Sequence, residues 1–247
     1  MSFSALVLAG SRGGPDPVAE YAGVSHKALI ILEDRTLLER VVNALRAAGA
    51  DRIAVSASDP AVTAAAQALG AKVLPAEAGP SLSVARAAEA LGTPLLVTTA
   101  DHALLRPEWV TGFLAGIPAG AQAAVLAARR EVVEAAAPGT ARTWLKLADG
   151  HWSGCNLFYL ATPASLAVVD LWRRVEADRK RPWRMARTLG AGILLRYLTG
   201  RLGLKEAAAR MGRMAGVSAA VVESPYGLAA VDVDKPADLD LVRGLRP

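Results

Sequence analysis

The sequence predicts an α/β protein with a mostly parallel, mixed sheet covered by helices. Two observations carry this. Short apolar runs alternate with stretches of helical periodicity from the N-terminus to Asp101, the rhythm of β-α-β crossovers in a parallel sheet. Apolar residues make up 53% of the chain and aromatics only 5%. Ala, Leu and Val therefore build the core, which favours helices on a sheet over an aromatic-rich β-sandwich. A chain of 247 residues suffices for a large core, and no repeat or low-complexity linker divides it. The expectation is one domain over 1–247 with a helical insertion over about 165–215.

The elements follow in order. Leu6 to Ala9 reads as the first strand, and Leu37 to Ala48 as a helix stopped by Gly49. Arg52 to Ser56 is the second strand. Asp59 and Pro60 open a helix to about Leu69, because Pro is tolerated in the first turn. Lys72 to Leu74 is a third strand, Ser83 to Leu91 a helix, and Leu95 to Thr99 a buried strand ending at Asp101. A helix begins at Arg106–Pro107, and Ala123 to Ala128 is a strand. Trp144 to Leu147 and Gly154 to Leu160 flank the Asp149–Gly150 turn signal of a hairpin. Pro163 to about Met214 is mostly helical, broken near Pro182, Gly190 and Gly200. Val217 to Val222 is a late strand, and a final helix runs from Lys235–Pro236 to about Arg243.

Charge and cysteine content narrow the function. The net charge of +5 suits an anionic partner. Cys155 is the only cysteine, so neither an internal disulfide nor a multi-cysteine metal site is available. No basic segment precedes a long apolar stretch at the N-terminus. The longest apolar candidate, Leu189 to Leu198, is short and contains Arg196, against the roughly 18 residues needed to span a bilayer. A cytoplasmic protein is expected.

Four segments carry chemistry-bearing residues. The first strand breaks into a turn with Gly10, Ser11, Arg12, Gly13 and Gly14. Glycines there let backbone N–H groups approach phosphates. Many such turns are only tight connections, and this one lacks both the dinucleotide fingerprint and the P-loop ending. Lys27 precedes the apolar run Ala28 to Leu32, which anchors its stem and makes it a placed point charge rather than an ordinary surface lysine. Asp101 stands beyond a strand's carboxyl end, where open parallel sheets bind ligands, and a carboxylate there suits Mg²⁺ as well as a helix cap. His102 beside it reads as a ligand, a base or a structural histidine. Asp232 and Asp234 alternate with Val231 and Val233, so both carboxylates project to one side of an extended segment. Asp234 then caps the final helix and Asp232 joins Asp101 on a metal.

Together, in this order and spacing, the four segments resemble the nucleotidyltransferases typified by molybdenum cofactor guanylyltransferase. The resemblance covers about residues 3–130 and 216–245 and rests on Leu6 to Gly10 with the Gly-rich loop, Lys27 in His26 to Leu29, Asp101, and Val231 to Pro236. It implies a Rossmann-like, glycosyltransferase-A-type three-layer sandwich. Nucleotide binding would fall to Ala9, Gly10, Ser11, Arg12, Gly13, Gly14 and Lys27, with Gly79, Ser81 and Ser83 near the base. Asp101 and Asp232 would hold Mg²⁺, and Lys27, Asp101 and Asp232 would be catalytic. Gly154 and Asn156 match an acceptor-side element of some members. In the family the loop arginine follows the glycines, whereas Arg12 comes early.

The implied reaction is transfer of NMP from an NTP to a phosphorylated alcohol, sugar or cofactor precursor, releasing pyrophosphate. Two other readings are a glycosyltransferase of the same fold using an NDP-sugar and a degenerate nucleotide-binding module docked on a membrane or partner. The insertion interleaves Trp172 and Trp183 with basic residues. It reads as an ordinary helical subdomain, as a lid whose Arg181 and Arg184 grip the acceptor, or as a patch resting on anionic lipid. No nucleic-acid module accompanies it.

Overall fold

The computed structural model describes residues 2–11, 13–178 and 190–245. Ten strands are described: β1 (Phe3–Leu8), β2 (Ile31–Leu32), β3 (Arg35–Thr36), β4 (Ala50–Ser56), β5 (Lys72–Leu74), β6 (Leu95–Thr99), β7 (Ala123–Arg129), β8 (Leu145–Leu147), β9 (Gly150–Leu160) and β10 (Ala219–Ser224). Eight form one sheet in the order β10-β7-β9-β6-β1-β4-β5, with β8 paired to β9. The pairs β1–β4, β1–β6, β4–β5 and β7–β10 are parallel, whereas β9 runs antiparallel to β6, β7 and β8. The sheet is the mixed, mostly parallel one expected.

Side-chain alternation makes three layers. On β1, Ala5 and Val7 join one apolar cluster while Leu6 joins the other; on β6, Leu96 lies in the first and Leu95 and Val97 in the second. Helix α2 (Leu37–Ala47) buries Leu37, Leu38, Val41, Val42 and Leu45 on the first side, and the hydroxyl of Thr36 accepts from the Glu39 N–H at its start. On the second side lie α4 (Pro80–Leu91), through Val84, Ala87, Ala88 and Leu91, and α7 (Leu166–Asp178), through Val169. Helix α3 (Pro60–Ala68) is capped by Asp59, and α5 (Pro107–Ala115) buries Trp109, Val110, Phe113 and Leu114.

The differences from the sequence reading are local. Helix α4 starts at Pro80, three residues early, because Pro fits a first helical turn. Ala28 to Leu32 is not one buried run. Lys27–Leu29 form a 3-10 turn, and β2 and β3 make a two-residue hairpin around Glu33, which takes φ 60°. Ile30 and Leu32 are therefore buried while Ile31 is exposed. Helices α1 (Pro17–Ala22) and α6 (Arg130–Ala136) were not expected. The described part of 165–215 contains α7, α8 (Ala191–Leu198) and α9 (Leu204–Met214), with Gly190 and Gly200 at left-handed φ where breaks were expected; Pro182 and Trp183 lie outside the described residues. The last helix is α10 (Pro236–Gly244).

Candidate active site

The site lies where β1 and β6 end side by side. The Ala9 N–H donates to the Ser56 carbonyl at 2.9 Å, and the Ala100 N–H donates to the Leu8 carbonyl at 2.9 Å. The chain after β1 therefore turns away next to Asp101. Gly10, Ser11, Gly13 and Gly14 are exposed, and Gly13 and Gly14 adopt φ 76° and 88°, a conformation a side chain would strain. Asp16 ends the loop by accepting from Val18 and Ala19 N–H at the start of α1. Arg12 lies outside the described residues. A Cβ on Gly10 would approach that of Ala76 to 3.3 Å, so the loop abuts the segment leading to α4.

At the mouth of α4, Ser83 Oγ accepts from the Glu77 N–H at 3.0 Å. Ser81 is buried, and its Oγ has no partner among the described residues. Gly79 precedes the helix in extended backbone. These expected base-side residues thus stand on the segment that faces the Gly-rich loop.

Lys27 is delivered by the 3-10 turn. His26 Nδ1 accepts the Ala28 N–H at 3.1 Å, and buried Ala28 and Ile30 pin the turn to the core. From there Lys27 Nζ reaches Asp101 Oδ2 at 2.5 Å and Asp234 Oδ1 at 2.9 Å. Burial alone pulls the ammonium's pKa down. The carboxylates of Asp101 and Asp234 overcome this and hold it above the ordinary lysine range. Asp101 is nearly buried, and its second oxygen, Oδ1, has no partner among the described residues.

The C-terminal segment meets Asp101 directly: the Val233 N–H donates to the Asp101 carbonyl at 3.0 Å. Val231 and Val233 are fully buried, as their alternation requires. The two carboxylates beside them part company. Asp232 is engaged by Arg142 at Oδ1 and by Asn156 Nδ2 at Oδ2, the latter at 2.8 Å. Arg142, buried, also donates to the carbonyls of Ala230 (3.2 Å) and Asp232 (2.8 Å) and pairs with Asp238 at 3.0 Å. The expectation that Asp234 caps the last helix is corrected. Asp238 does that work from inside α10, its Oδ2 accepting the Asp234 and Lys235 N–H groups at 3.1 and 2.9 Å, while the Asp234 carboxylate turns to Lys27.

Asn156 reaches Asp232 because β9 bulges opposite Leu126. Val125 pairs with Phe158 and Ala127 with Gly154. Asn156 sits in the bulge at φ 48°, and a bulge re-aims the side chain it carries. Gly154 is exposed on the same strand. Arg181 and Arg184 lie outside the described residues. Trp172 on α7 packs its ring against Phe158, centroids 5.1 Å apart.

His102 is fully buried beside Trp109, and burial pushes its pKa down to about 4. It is a neutral packing group. Among the described residues no three His, Cys, Asp or Glu gather into a metal cluster. The donor set nevertheless fits Mg²⁺, which is held through one or two carboxylates plus substrate phosphates. Asp101 Oδ1 is a hard oxygen, buried and without a partner among the described residues, and Lys27 links Asp101 to the carboxylate of Asp234.

Sequence reading singled out Lys27 and Asp101, which the structure brings together. It missed Arg142, which no pattern in its loop marks, and the Lys27–Asp234 pair. No helix among the described residues is long and apolar enough to cross a membrane.

Comparison with known proteins gives the family and the fold. A structure described as a hypothetical transferase from Thermus thermophilus is 37% identical, over 97% of this chain and 100% of its own, with a TM-score of 0.82. Two more distant structures share the fold. A nucleotidyl transferase from Methanothermobacter is 21% identical, over 98% of this chain and 95% of its own, with a TM-score of 0.57. A CMP:2-keto-3-deoxy-manno-octonic acid synthetase complexed with CTP is 17% identical, over 98% and 97%, with a TM-score of 0.59. No curated protein matches the chain. The family model of the MobA-like NTP transferase domain matches residues 5–187. The loop, the placed lysine and the strand-end aspartate all lie within that match, and the chain belongs to this family of nucleotidyltransferases.

Proposed function

We propose that this enzyme transfers NMP from an NTP to a phosphorylated small-molecule acceptor and releases pyrophosphate. The observation that carries this reading is Lys27, fixed on a rigid turn between Asp101 and Asp234 beside the Gly-rich loop. An acceptor phosphate oxygen attacks the α-phosphorus. The bond from that phosphorus to the α–β bridging oxygen breaks, and its electron pair leaves with pyrophosphate.

A phosphate monoester is already largely ionised at neutral pH, so the nucleophile needs no strong base. This agrees with His102, which is buried and neutral, and His26, whose Nδ1 is spent on a backbone N–H. The loop from Ala9 to Gly14, with Arg12, binds the triphosphate, and Lys27 exchanges carboxylate for phosphate oxygens as it arrives. Gly79, Ser81 and Ser83 border the base. Gly154 and Asn156 are assigned to the acceptor, as are Arg181 and Arg184 on the strength of their sequence alone.

Mg²⁺, when bound, neutralises charge on the phosphates. Asp101 would be its principal holder. Asp234, which meets Asp101 at Lys27, would be the second carboxylate, whereas Asp232 is engaged by Arg142 and Asn156. The test is pyrophosphate release with CTP, GTP, UTP, ATP or dTTP and phosphorylated alcohols, sugars or cofactor precursors, with and without Mg²⁺. Release with at least one pair, abolished by chelation, is the expected result. NTP binding without release from any pair overturns the reading.

A further inference from the structure

Away from the site, residues 190–218 concentrate the chain's charge. They contain Arg196, Arg201, Lys205, Arg210 and Arg213, with Glu206 as the sole acid. Glu206 is already shared by Arg196 and Arg210. Among the described residues no carboxylate pairs with Arg201, Lys205 or Arg213, and all three are exposed.

The same segment exposes apolar surface. Leu195 is 63% and Leu198 72% exposed, with Tyr197 at 42% and Met214 at 44%. Leu194, Leu195 and Leu198 fall on one side of α8 by their i, i+3 and i, i+4 spacing. Met214, at the end of α9, lines a groove with Gly190, Gly192 and Ile193, joining the two helices into one surface. Side-chain hydrogen bonds leave α8 chiefly through Arg196, which reaches Glu206 and the Arg201 carbonyl.

The base of this unit is firm. Asp149, in the β8–β9 turn, accepts the Leu204 N–H at 2.9 Å and the Trp152 indole N–H at 3.2 Å, and the Ala148 N–H donates to the Leu202 carbonyl. Helix α9 is thereby tied to the hairpin whose long strand carries Gly154 and Asn156. An exposed apolar ridge, in a segment with three exposed cations that have no carboxylate partner among the described residues and on a helix too short to span a bilayer, has the chemistry of an interfacial helix.

We propose that α8 and the end of α9 form a docking surface for anionic phospholipid bilayers. Leu195, Leu198, Tyr197 and Met214 enter the headgroup region, and Arg201, Lys205 and Arg213 contact lipid phosphates. Bound this way, the enzyme keeps the β8–β9 hairpin at the bilayer side of the molecule. The surface is separate from the nucleotide site, so its failure leaves the transfer reaction untouched.

Cosedimentation of the full chain with phosphatidylcholine vesicles, and with vesicles of equal phosphatidylcholine and phosphatidylglycerol, tests this. The expected result is binding to the anionic vesicles alone, released as salt rises from about 0.05 M to about 0.5 M. The charge-neutral variant Leu195→Ser/Leu198→Ser should bind at least tenfold more weakly with an unchanged melting temperature, both residues being exposed. Arg201→Gln/Arg213→Gln should lose the preference for phosphatidylglycerol. Absence of wild-type binding overturns the proposal. So does binding that the double serine variant retains in full, which is charge attraction alone. A dimer in light scattering that the serine variant dissociates, without vesicle binding, also overturns it and assigns the face to a second copy.

Discussion

Asp232 and Asp234 sit two residues apart on one extended segment, yet belong to different kinds of cluster. Asp232 faces a buried arginine that also holds Asp238 and two backbone carbonyls. Its oxygens are taken by Arg142 and Asn156, and the arrangement closes on itself. Asp234, 59% exposed at its side chain, shares one lysine with Asp101, whose other oxygen has no partner among the described residues. The first cluster is a clamp that fixes the C-terminal segment. The second joins two carboxylates through one lysine and leaves a buried oxygen of Asp101 without a partner among the described residues. Identical residue types therefore differ in what surrounds them: a buried guanidinium for Asp232, a lysine close to solvent for Asp234.

The largest expected effect breaks the second cluster. Asp101→Asn should cut turnover about 10³-fold, the scale for losing a principal electrostatic element, while circular dichroism and melting stay near wild type. Preserved turnover would remove Asp101 from the reaction.

Lys27→Met should lower turnover on the order of 10²- to 10³-fold and destabilise the fold by leaving Asp101 without its cation. A lysine whose pKa is raised on folding contributes stability that is complete below its unfolded value, about 10.4, and lost as pH rises through the folded one. The stability gap between wild type and this variant, from denaturant titrations, should be flat across neutral pH and shrink only above that unfolded value.

Arg142→Met tests the clamp. It leaves Asp232 and Asp238 buried without their cation and should cost about 3 kcal/mol in stability. An equal melting temperature would show that the clamp is ornamental.

The finest discrimination pairs two neighbours. Asp234→Asn should reduce turnover about tenfold, roughly 1.4 kcal/mol, with little change in melting. Asp232→Asn should lower melting more than turnover. The reverse ranking would move the second metal carboxylate to Asp232.

Much of this was legible in the sequence because it follows local rules. Apolar runs gave the strands, Asp59–Pro60 and the glycines gave helix ends, and Asp101 lay past a strand where ligands bind. The Asp16–Pro17 start of α1 carried the same cap signal and was available to be read. Val231 and Val233 are both buried, in keeping with their alternation. The alternation also places the two carboxylates together because it assumes a regular strand, and 231–234 is irregular chain pinned by Arg142, Asn156 and Lys27 from remote positions. Nothing in the order of residues around Arg142 announces that it will be buried on this segment. Nor does the sequence announce the bulge that turns Asn156.

The contact between Lys27 and Asp234 spans 207 positions, and the hydrogen bond from the Val233 N–H to the Asp101 carbonyl ties the same late segment to the turn after β6. A chain that stops short of 231 loses the carboxylate that Asp234 brings to Lys27 and the backbone donor that Val233 brings to Asp101.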